Sequence, residues 1–456
     1  MQHKKIPLAD TKVFSSFFLD YLQQKETLRP YYNRFPLLEN FKDQIREKSK
    51  SFPKEHREVL VATLQKQYEH LTVPEAVSTN ISALIDANTF TVTTGHQLNI
   101  FTGPLYFIYK IATVINVCKK LAERYPEYRF VPVYWMASED HDYDEIKYFR
   151  LYGKKYTWEN TQTGAVGRFS TAGFDKLLQE IPGDTAIFKE AYAKNKTLAG
   201  AVRHYVNALF GSDGLIVLDA DDYNLKRLFR PVMQEDILRQ TTVKLVHSAN
   251  KGLEDLGYKA QVFCRDINFF YLEENVRARI EKRDDRYVVL ETPWSFSESE
   301  IRRIVEDEPE KFSPNVILRP LYQDTILPNL AYVGGPAEIV YWLQLKSLFD
   351  HFNVSLPMLM PRNFGVVVDH TVQRKLEKTG LDFIQFFEEK NYLYNHWTLK
   401  NSKNNLTVGA ERTTIREIYD QLKERAESID KTLGPFTGAE GTRAINGLEK
   451  IERKLL

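Results

Sequence analysis

Two short strand-forming stretches flanking one amphipathic helix constrain this chain more than any other feature. Phe90-Thr91-Val92-Thr93-Thr94 is rich in β-branched residues, which favour extended backbone. It runs into Gly95-His96-Gln97 and then Gly103-Pro104. From Leu105 to Leu121 the apolar residues Leu105, Ile108, Ile111, Ala112, Ile115 and Cys118 recur at helical spacing. Phe130-Val131-Pro132-Val133-Tyr134-Trp135 reads as a second strand. It ends in Ser138-Glu139-Asp140-His141-Asp142-Tyr143-Asp144-Glu145. Strand, polar loop, helix, strand, polar loop across residues 89–146 is a βαβ unit, which predicts an α/β fold on a parallel sheet. Both loops leave the carboxyl ends of their strands, the edge where such sheets bind ligands. His96 and the 139–142 cluster are therefore expected to share one cleft.

The remaining chain divides by pattern. Residues 1–222 are expected to hold the first part of the core, with a small insertion near 147–200 that opens on a hairpin. Within them Gly214-Leu215-Ile216-Val217-Leu218-Asp219 reads as a further buried strand with an acidic end. Residues 223–312 read as an insertion: a helix from Asn224 to Asn250, then antiparallel strands at 260–263, 268–272, 276–280 and 287–290, their charges solvated. Residues 313–368 return to the core through a strand at Val316–Pro320 and a glycine turn, Val333-Gly334-Gly335-Pro336, that opens a helix through Phe349. Strands at 354–361 and 364–368 close the sheet. Residues 369–456 are expected to be helical. Ile415, Ile418, Leu422 and Ile429, then Ile445, Leu448, Ile451 and Leu455, form narrow stripes on charged helices, the pattern of a coiled coil that can serve a second subunit. The final helix stops without a cap, and an incomplete C-terminus is expected.

Chemistry concentrates at the two loops. Gly95 permits close backbone approach. Gly103-Pro104 lets the helix begin with free amides that can hold a phosphate or carboxylate. His96 can donate to a phosphate, act as acid or base near neutral pH, or merely pin the loop. Glu139, Asp140, His141 and Asp142 are four ionisable residues in four positions. They can bind an ammonium, accept its proton, hold Mg²⁺ or Zn²⁺ through a carboxylate pair with His141, or form a surface turn. Asp140, Asp142 and Asp144 do not make a calcium loop, because Glu145 and Leu151 stand where that loop needs glycine and glutamate. Asp219, Asp221 and Asp222 can bind a ribose or metal, or cap a helix. Gly334-Gly335 before a helix suits an anion or a tight turn. Arg319, Arg362 and Asn363 flank prolines near strand ends, where one can bind a carboxylate. No protein metal site is expected. Cys264 reads as an inert thiol and Cys118 as core.

The chain of 456 residues has a formal net charge of +1, which gives no footprint for nucleic acid. No run is long enough for a membrane span, and Met1-Gln2-His3 does not lead into an apolar leader core. Two cysteines exclude a disulfide framework, so a cytoplasmic protein is expected.

Thr94-Gly95-His96-Gln97-Leu98-Asn99-Ile100-Phe101-Thr102-Gly103-Pro104 and Val133-Tyr134-Trp135-Met136-Ala137-Ser138-Glu139-Asp140-His141-Asp142 resemble the BshC family, the cysteine ligases of bacillithiol biosynthesis. Tyr332-Val333-Gly334-Gly335-Pro336-Ala337-Glu338 and Phe436-Thr437-Gly438-Ala439-Glu440-Gly441-Thr442 match it too. The resemblance implies a Rossmann-like core similar to class I aminoacyl-tRNA synthetases, interrupted by connecting-peptide insertions, with a C-terminal coiled coil supporting a homodimer. It implies amide-bond formation between L-cysteine and glucosaminyl-malate, the last step of bacillithiol synthesis. ATP with Mg²⁺ would activate the carboxylate as an adenylate or acyl phosphate. Gly95, His96 and Gly103 would hold the nucleotide; His96, Glu139, Asp140 and Asp142 would carry the chemistry. Gln97, Asn99, Trp135, His141, Arg319, Gly334 and Gly335 would contact substrate. The rival readings are a non-catalytic nucleotide- or thiol-binding scaffold, and an aminoacyl transferase using an activated cysteine donor.

Overall fold

The computed structural model describes residues 4–456; Met1, Gln2 and His3, read above as the start without a leader core, lie outside the described residues. The chain forms two compact units, Ser16–Gly365 and a second comprising the described residues before Ser16 together with Val366–Leu456. In chain order the strands of the first unit are β1 (Thr89–His96), β2 (Arg129–Met136), β3 (Tyr148–Leu151), β4 (Lys154–Thr157), β5 (Ile216–Asp219), β6 (Phe269–Glu273), β7 (Val276–Arg283), β8 (Arg286–Val289), β9 (Ser295–Ser297), β10 (Phe312–Pro314), β11 (Asn329–Gly334) and β12 (Met358–Pro361).

Five of these make a parallel sheet in the order β5-β2-β1-β11-β12. Counted along the chain, that order is third, second, first, fourth, fifth, the Rossmann arrangement, and its direction reverses between β1 and β11. The crevice outside the carboxyl ends of those two strands is the ligand edge that topology dictates. The helix Tyr106–Arg124 carries the chain from β1 to β2 and buries Phe107, Ile111, Val114, Ile115, Cys118 and Leu121. Val114, Cys118 and Leu121 pack with Phe41, Ile45, Phe90, Val92, Leu330 and Val333 in one core. Three buried threonines of β1 keep their hydroxyls bonded. Thr91 and Thr93 donate to Asn329 Oδ1 at 3.3 and 2.9 Å, and Thr94 donates to the Val333 carbonyl at 2.7 Å.

A second sheet, β10-β6-β7-β8-β9, is antiparallel throughout, and β3 with β4 forms the expected hairpin. Elsewhere the structure departs from the sequence reading for identifiable reasons. The single helix from Asn224 is three helices, Tyr223–Arg227, Arg230–Arg239 and Thr241–Asp255; Gln240 breaks the run with φ of 55°. Residues 260–263 are loop. Their amides at Gln261 and Val262 donate to the Gln344 side chain at 2.9 and 3.3 Å rather than to a neighbouring strand. Val316–Pro320 is not a strand. Asn315 Oδ1 accepts from the Ile317 and Leu318 amides at 2.9 and 3.3 Å and turns the chain into the helix Arg319–Ile326. The sheet instead gains β11 and ends at β12, with 364–368 outside it. The helix expected to run from Pro336 to Phe349 is interrupted by a 3-10 turn, Leu343–Leu345.

In the second unit the helices Gly409–Ile429 and Leu433–Leu455 pack as an antiparallel pair, with Arg412 ion-paired to Glu449 at 3.3 Å and Glu452 at 3.8 Å. A Cβ on Gly441 would meet Tyr419 Cβ at 2.9 Å, so glycine sets the close approach of the two helices. No helix among the described residues is long and apolar enough to cross a membrane.

Candidate functional site

A cavity of about 600 Å³ opens at the carboxyl ends of the parallel strands and is lined by both His96 and Asp140. Its first wall lies between β1 and β11. Gly95 has no side chain, and a Cβ there would lie 3.2 Å from Tyr332 Oη and 3.6 Å from Arg319 Nη1. Lys110, buried on the helix after β1, donates to the Gly95 carbonyl at 2.7 Å and sits 2.5 Å from Glu338 Oε2. Glu338 also accepts from Tyr332 Oη at 2.6 Å and from the Gly335 amide at 2.7 Å. Burial opposes the Glu338 charge, but Lys110 and these donors outweigh it and hold the carboxyl below its usual range.

Arg319 enters the same wall, its guanidinium 5.7 to 5.9 Å from the ring centres of Trp135, Tyr332 and Trp342. It donates to Gln323 Oε1 at 3.1 Å and to Tyr341 Oη at 3.4 Å. Among the described residues no carboxylate is ion-paired with it. His96 packs against Tyr106 and Phe107 with ring centres 5.4 and 5.3 Å apart, and its buried Nε2 has no hydrogen-bond partner. Burial, reinforced by Lys110, pushes its imidazole down to about 3. This corrects the reading of His96 as an acid or base near neutral pH: the ring stays neutral and offers a hydrogen bond. A histidine with an unpartnered ring nitrogen and a guanidinium without a carboxylate partner, lining one cavity, suit an anionic group, phosphate or carboxylate.

The opposite wall rises from β2 with the loop after it and from the antiparallel insertion. Glu139 lies 2.5 Å from the buried Lys226 ammonium. Lys226 also reaches Asp221 at 3.4 Å, and Asp221 holds Arg168 through two bonds of 2.7 and 2.9 Å. Burial pushes the Glu139 carboxyl above its usual range, with Lys226 working against the rise. Asp140 accepts from the His141 amide at 2.7 Å, the Asp142 amide at 3.3 Å and Gln97 Nε2 at 3.2 Å, with Arg277 at 4.0 Å. Burial resists its ionisation, but His141, Arg277 and Gln97 hold the carboxyl well below the usual carboxylate range.

Of the residues expected here, Gly95, His96, Gln97, Trp135, Glu139, Asp140 and Arg319 line the cavity. Others brace it from outside. Asp142 caps the short helix Tyr143–Ile146, accepting from the Glu145 amide at 3.3 Å. Asn99 donates to the Glu145 carbonyl at 3.0 Å. His141 Nδ1 faces Arg277 Nη1 at 2.6 Å. Gly103, with φ of 61°, shapes the loop, and its amide is spent on the Ile100 carbonyl at 3.0 Å. The amide of Gly335 is likewise taken by Glu338, and the Gly334 carbonyl by the Arg362 amide at 2.9 Å. The amides of Gly103 and Gly335 are therefore not free for an anion. Asp222 is a helix cap, accepting from the Asn224 and Leu225 amides. Burial pushes the Cys264 thiol up to about 12. No group of three or more histidine, cysteine or acidic side chains among the described residues is placed to hold a metal ion.

Sequence reasoning passed over Lys110, Lys226, Arg277, Glu338 and Tyr341. Lys110 carried a signal, since it falls on the buried stripe between Phe107 and Val114, and a lysine there must find an acid. Arg277 carried none, being one basic residue on an alternating, charged strand.

Comparison with known proteins agrees along the whole chain. Residues 1–363 match the family model for the N-terminal Rossmann-like domain of bacillithiol biosynthesis BshC, and 365–456 match that for the BshC C-terminal coiled-coil domain. A protein of Flavobacterium johnsoniae named "Putative cysteine ligase BshC" is 43% identical over 453 residues, covering 97% of this chain and 85% of the relative. Relatives of the same name from Cytophaga hutchinsonii and Salinibacter ruber are 43% identical over 452 residues and 32% identical over 422; the matches cover 99% and 88% of this chain, and 86% and 77% of those relatives. With its Rossmann-ordered sheet, its helical hairpin and these matches, the chain belongs to the BshC family of bacillithiol biosynthesis.

Proposed function

We propose that this protein is a ligase that joins the carboxyl carbon of L-cysteine to the amine of glucosaminyl-malate, forming the amide of bacillithiol. The observation that carries the reading is the convergence of an unpaired Arg319, a neutral and uncommitted His96, and the ionised Asp140 on one cavity at the sheet's switch point. The names of the relatives support it. Asp140 holds the cysteine ammonium. Glu139, whose proton affinity is raised by burial, takes a proton from the attacking amine. His96 and Arg319 fit phosphate oxygens of ATP or a substrate carboxylate; the amide of Gly103 does not. ATP with Mg²⁺, when bound, would supply the leaving group that a free carboxylate lacks.

In the second unit Ile418, Leu422, Ile429, Phe436, Ile451 and Leu455 are 41 to 77% exposed along the paired helices, and a second copy of the chain is the occupant that a homodimer would provide.

Purified protein is incubated with L-cysteine, glucosaminyl-malate and ATP with Mg²⁺, and products are read by mass. The expected result is the amide, with either AMP and pyrophosphate or ADP and phosphate. Product formed without ATP would point to an activated cysteine donor. No product with all components present would overturn the ligase reading in favour of a binding scaffold.

A further inference from the structure

The antiparallel insertion reaches the cavity through one side chain. Strand β7 reads Val-Arg-Ala-Arg-Ile-Glu-Lys-Arg, and its basic residues are expected in water, but the Arg277 side chain is only 8% exposed. Its guanidinium lies over the Phe270 ring of β6 at 3.9 Å. Nε donates to Ser313 Oγ at 3.1 Å and Nη2 to the Pro314 carbonyl at 3.4 Å, both on β10. On the far side Nη1 is 2.6 Å from His141 Nδ1 and 4.0 Å from Asp140 Oδ1. Arg277, on β7, is thus anchored to two other strands of the insertion, β6 and β10, and turned toward the loop after β2.

We infer that Arg277 is the positioning residue by which the antiparallel insertion sets the Asp140 carboxylate for substrate, with the ring of His141 locked beside it as a brace. The inference rests on the ligase reading for its substrate and on geometry for the rest. A guanidinium does not give up its proton, so it can only donate to His141 Nδ1, which fixes the ring proton on Nε2. Two of the fork's donors are spent on the insertion, its face lies on Phe270, and one donor is spent on the core loop, so the plane of the guanidinium dictates where the loop stands. A lysine carries the same charge but has neither the flat face to lie on Phe270 nor enough donors to bridge β10 and His141.

The test uses the full chain, with L-cysteine as the probe. Arg277→Met and Arg277→Lys are compared with the wild type by calorimetry, in the ligase assay, and by ¹⁵N shifts of the His141 ring. Arg277→Met is expected to weaken L-cysteine binding by about 30-fold, the loss of a charge-assisted contact network. KM for cysteine rises with it, KM for glucosaminyl-malate stays, and the acid limb of kcat/KM moves to higher pH because Asp140 loses its cation. Arg277→Lys restores the acid limb but not the affinity. Phe270→Leu, which keeps the guanidinium and removes its platform, gives a smaller loss in the same direction if Arg277→Met folds poorly. Lys282→Met, exposed on the same strand, changes nothing. The His141 tautomer decides the matter even in a protein without turnover: an Nε2-protonated ring in wild type that loses this preference in Arg277→Met supports the inference, and a ring unchanged by the substitution overturns it. Equal losses for both substrates accompanied by a lower melting temperature overturn it too, as a purely structural effect.

Discussion

His96 gives the sharpest quantitative handle on the cavity. Burial, with Lys110 adding to it, lowers its folded value from 6.5 to about 3. A group whose folded pKa is depressed takes up its proton more readily in the unfolded chain. Its contribution to stability is therefore whole above about 6.5 and is lost as pH falls toward 3, with a slope of roughly 1.4 kcal/mol per pH unit. Between pH 7 and pH 5 the loss amounts to about 2 kcal/mol. Other groups titrate in the same range with opposite sign. Burial raises Asp236 and Asp324 to about 6 from 3.8, so their contribution grows as pH falls through that window. A wild-type curve alone would mix these terms, but His96→Gln removes one and leaves the others. Urea unfolding of wild type and His96→Gln at pH 7 and pH 5 isolates it. The variant is expected to lose about 2 kcal/mol less than the wild type over that interval. Equal losses would mean that His96 accepts a proton in the folded protein at an ordinary pH, and the neutral, hydrogen-bonding role assigned to it would fail.

Two further outcomes follow from the walls of the cavity. Lys110→Met and Glu338→Gln should each cost about 3 kcal/mol, because each strands a buried partner; the double variant should lose about 2 kcal/mol less than their sum, and strict additivity in denaturation would dissolve the pair. Within the acidic loop, Asp140→Asn should weaken L-cysteine binding by more than about tenfold while Asp142→Ala, which removes only a helix cap, stays within about threefold by calorimetry.

What could be read from the sequence was what short-range pattern encodes. β1 and β2 were legible because each is a β-branched or aromatic run bounded by polar loops, and the helix between them because its apolar stripe is long. β11 was not, since Asn329 opens it as though it were a turn. Asn329 is buried there as the acceptor for Thr91 and Thr93, a role visible only once the strands are side by side. Val316–Pro320 misled for the converse reason: its composition suits a strand, but one Asn315 side chain satisfies two amides and starts a helix. Local side-chain bonds of this kind override propensity at small cost, and composition does not reveal them.

The site followed the same division. Loops after parallel strands announce a ligand edge, so His96 and Asp140 could be placed together before any coordinates. Which members of the acidic tetrad face the cavity could not, because that depends on where the loop's turn points each side chain: Asp142 caps the following helix, while Glu139 and Asp140 line the wall, Asp140 even while accepting two backbone amides. Charged residues hidden in apolar patterns were the unused signal. Lys110 stands where the helix stripe demands an apolar side chain, and such a lysine requires an acid from an element packed at the same end of the sheet. With the strand order reversing between β1 and β11, that element is the helix after β11, and Glu338 is the acid in its first turn. The ion pair thus ties the two halves of the Rossmann order together at the crevice where their ligand must lie.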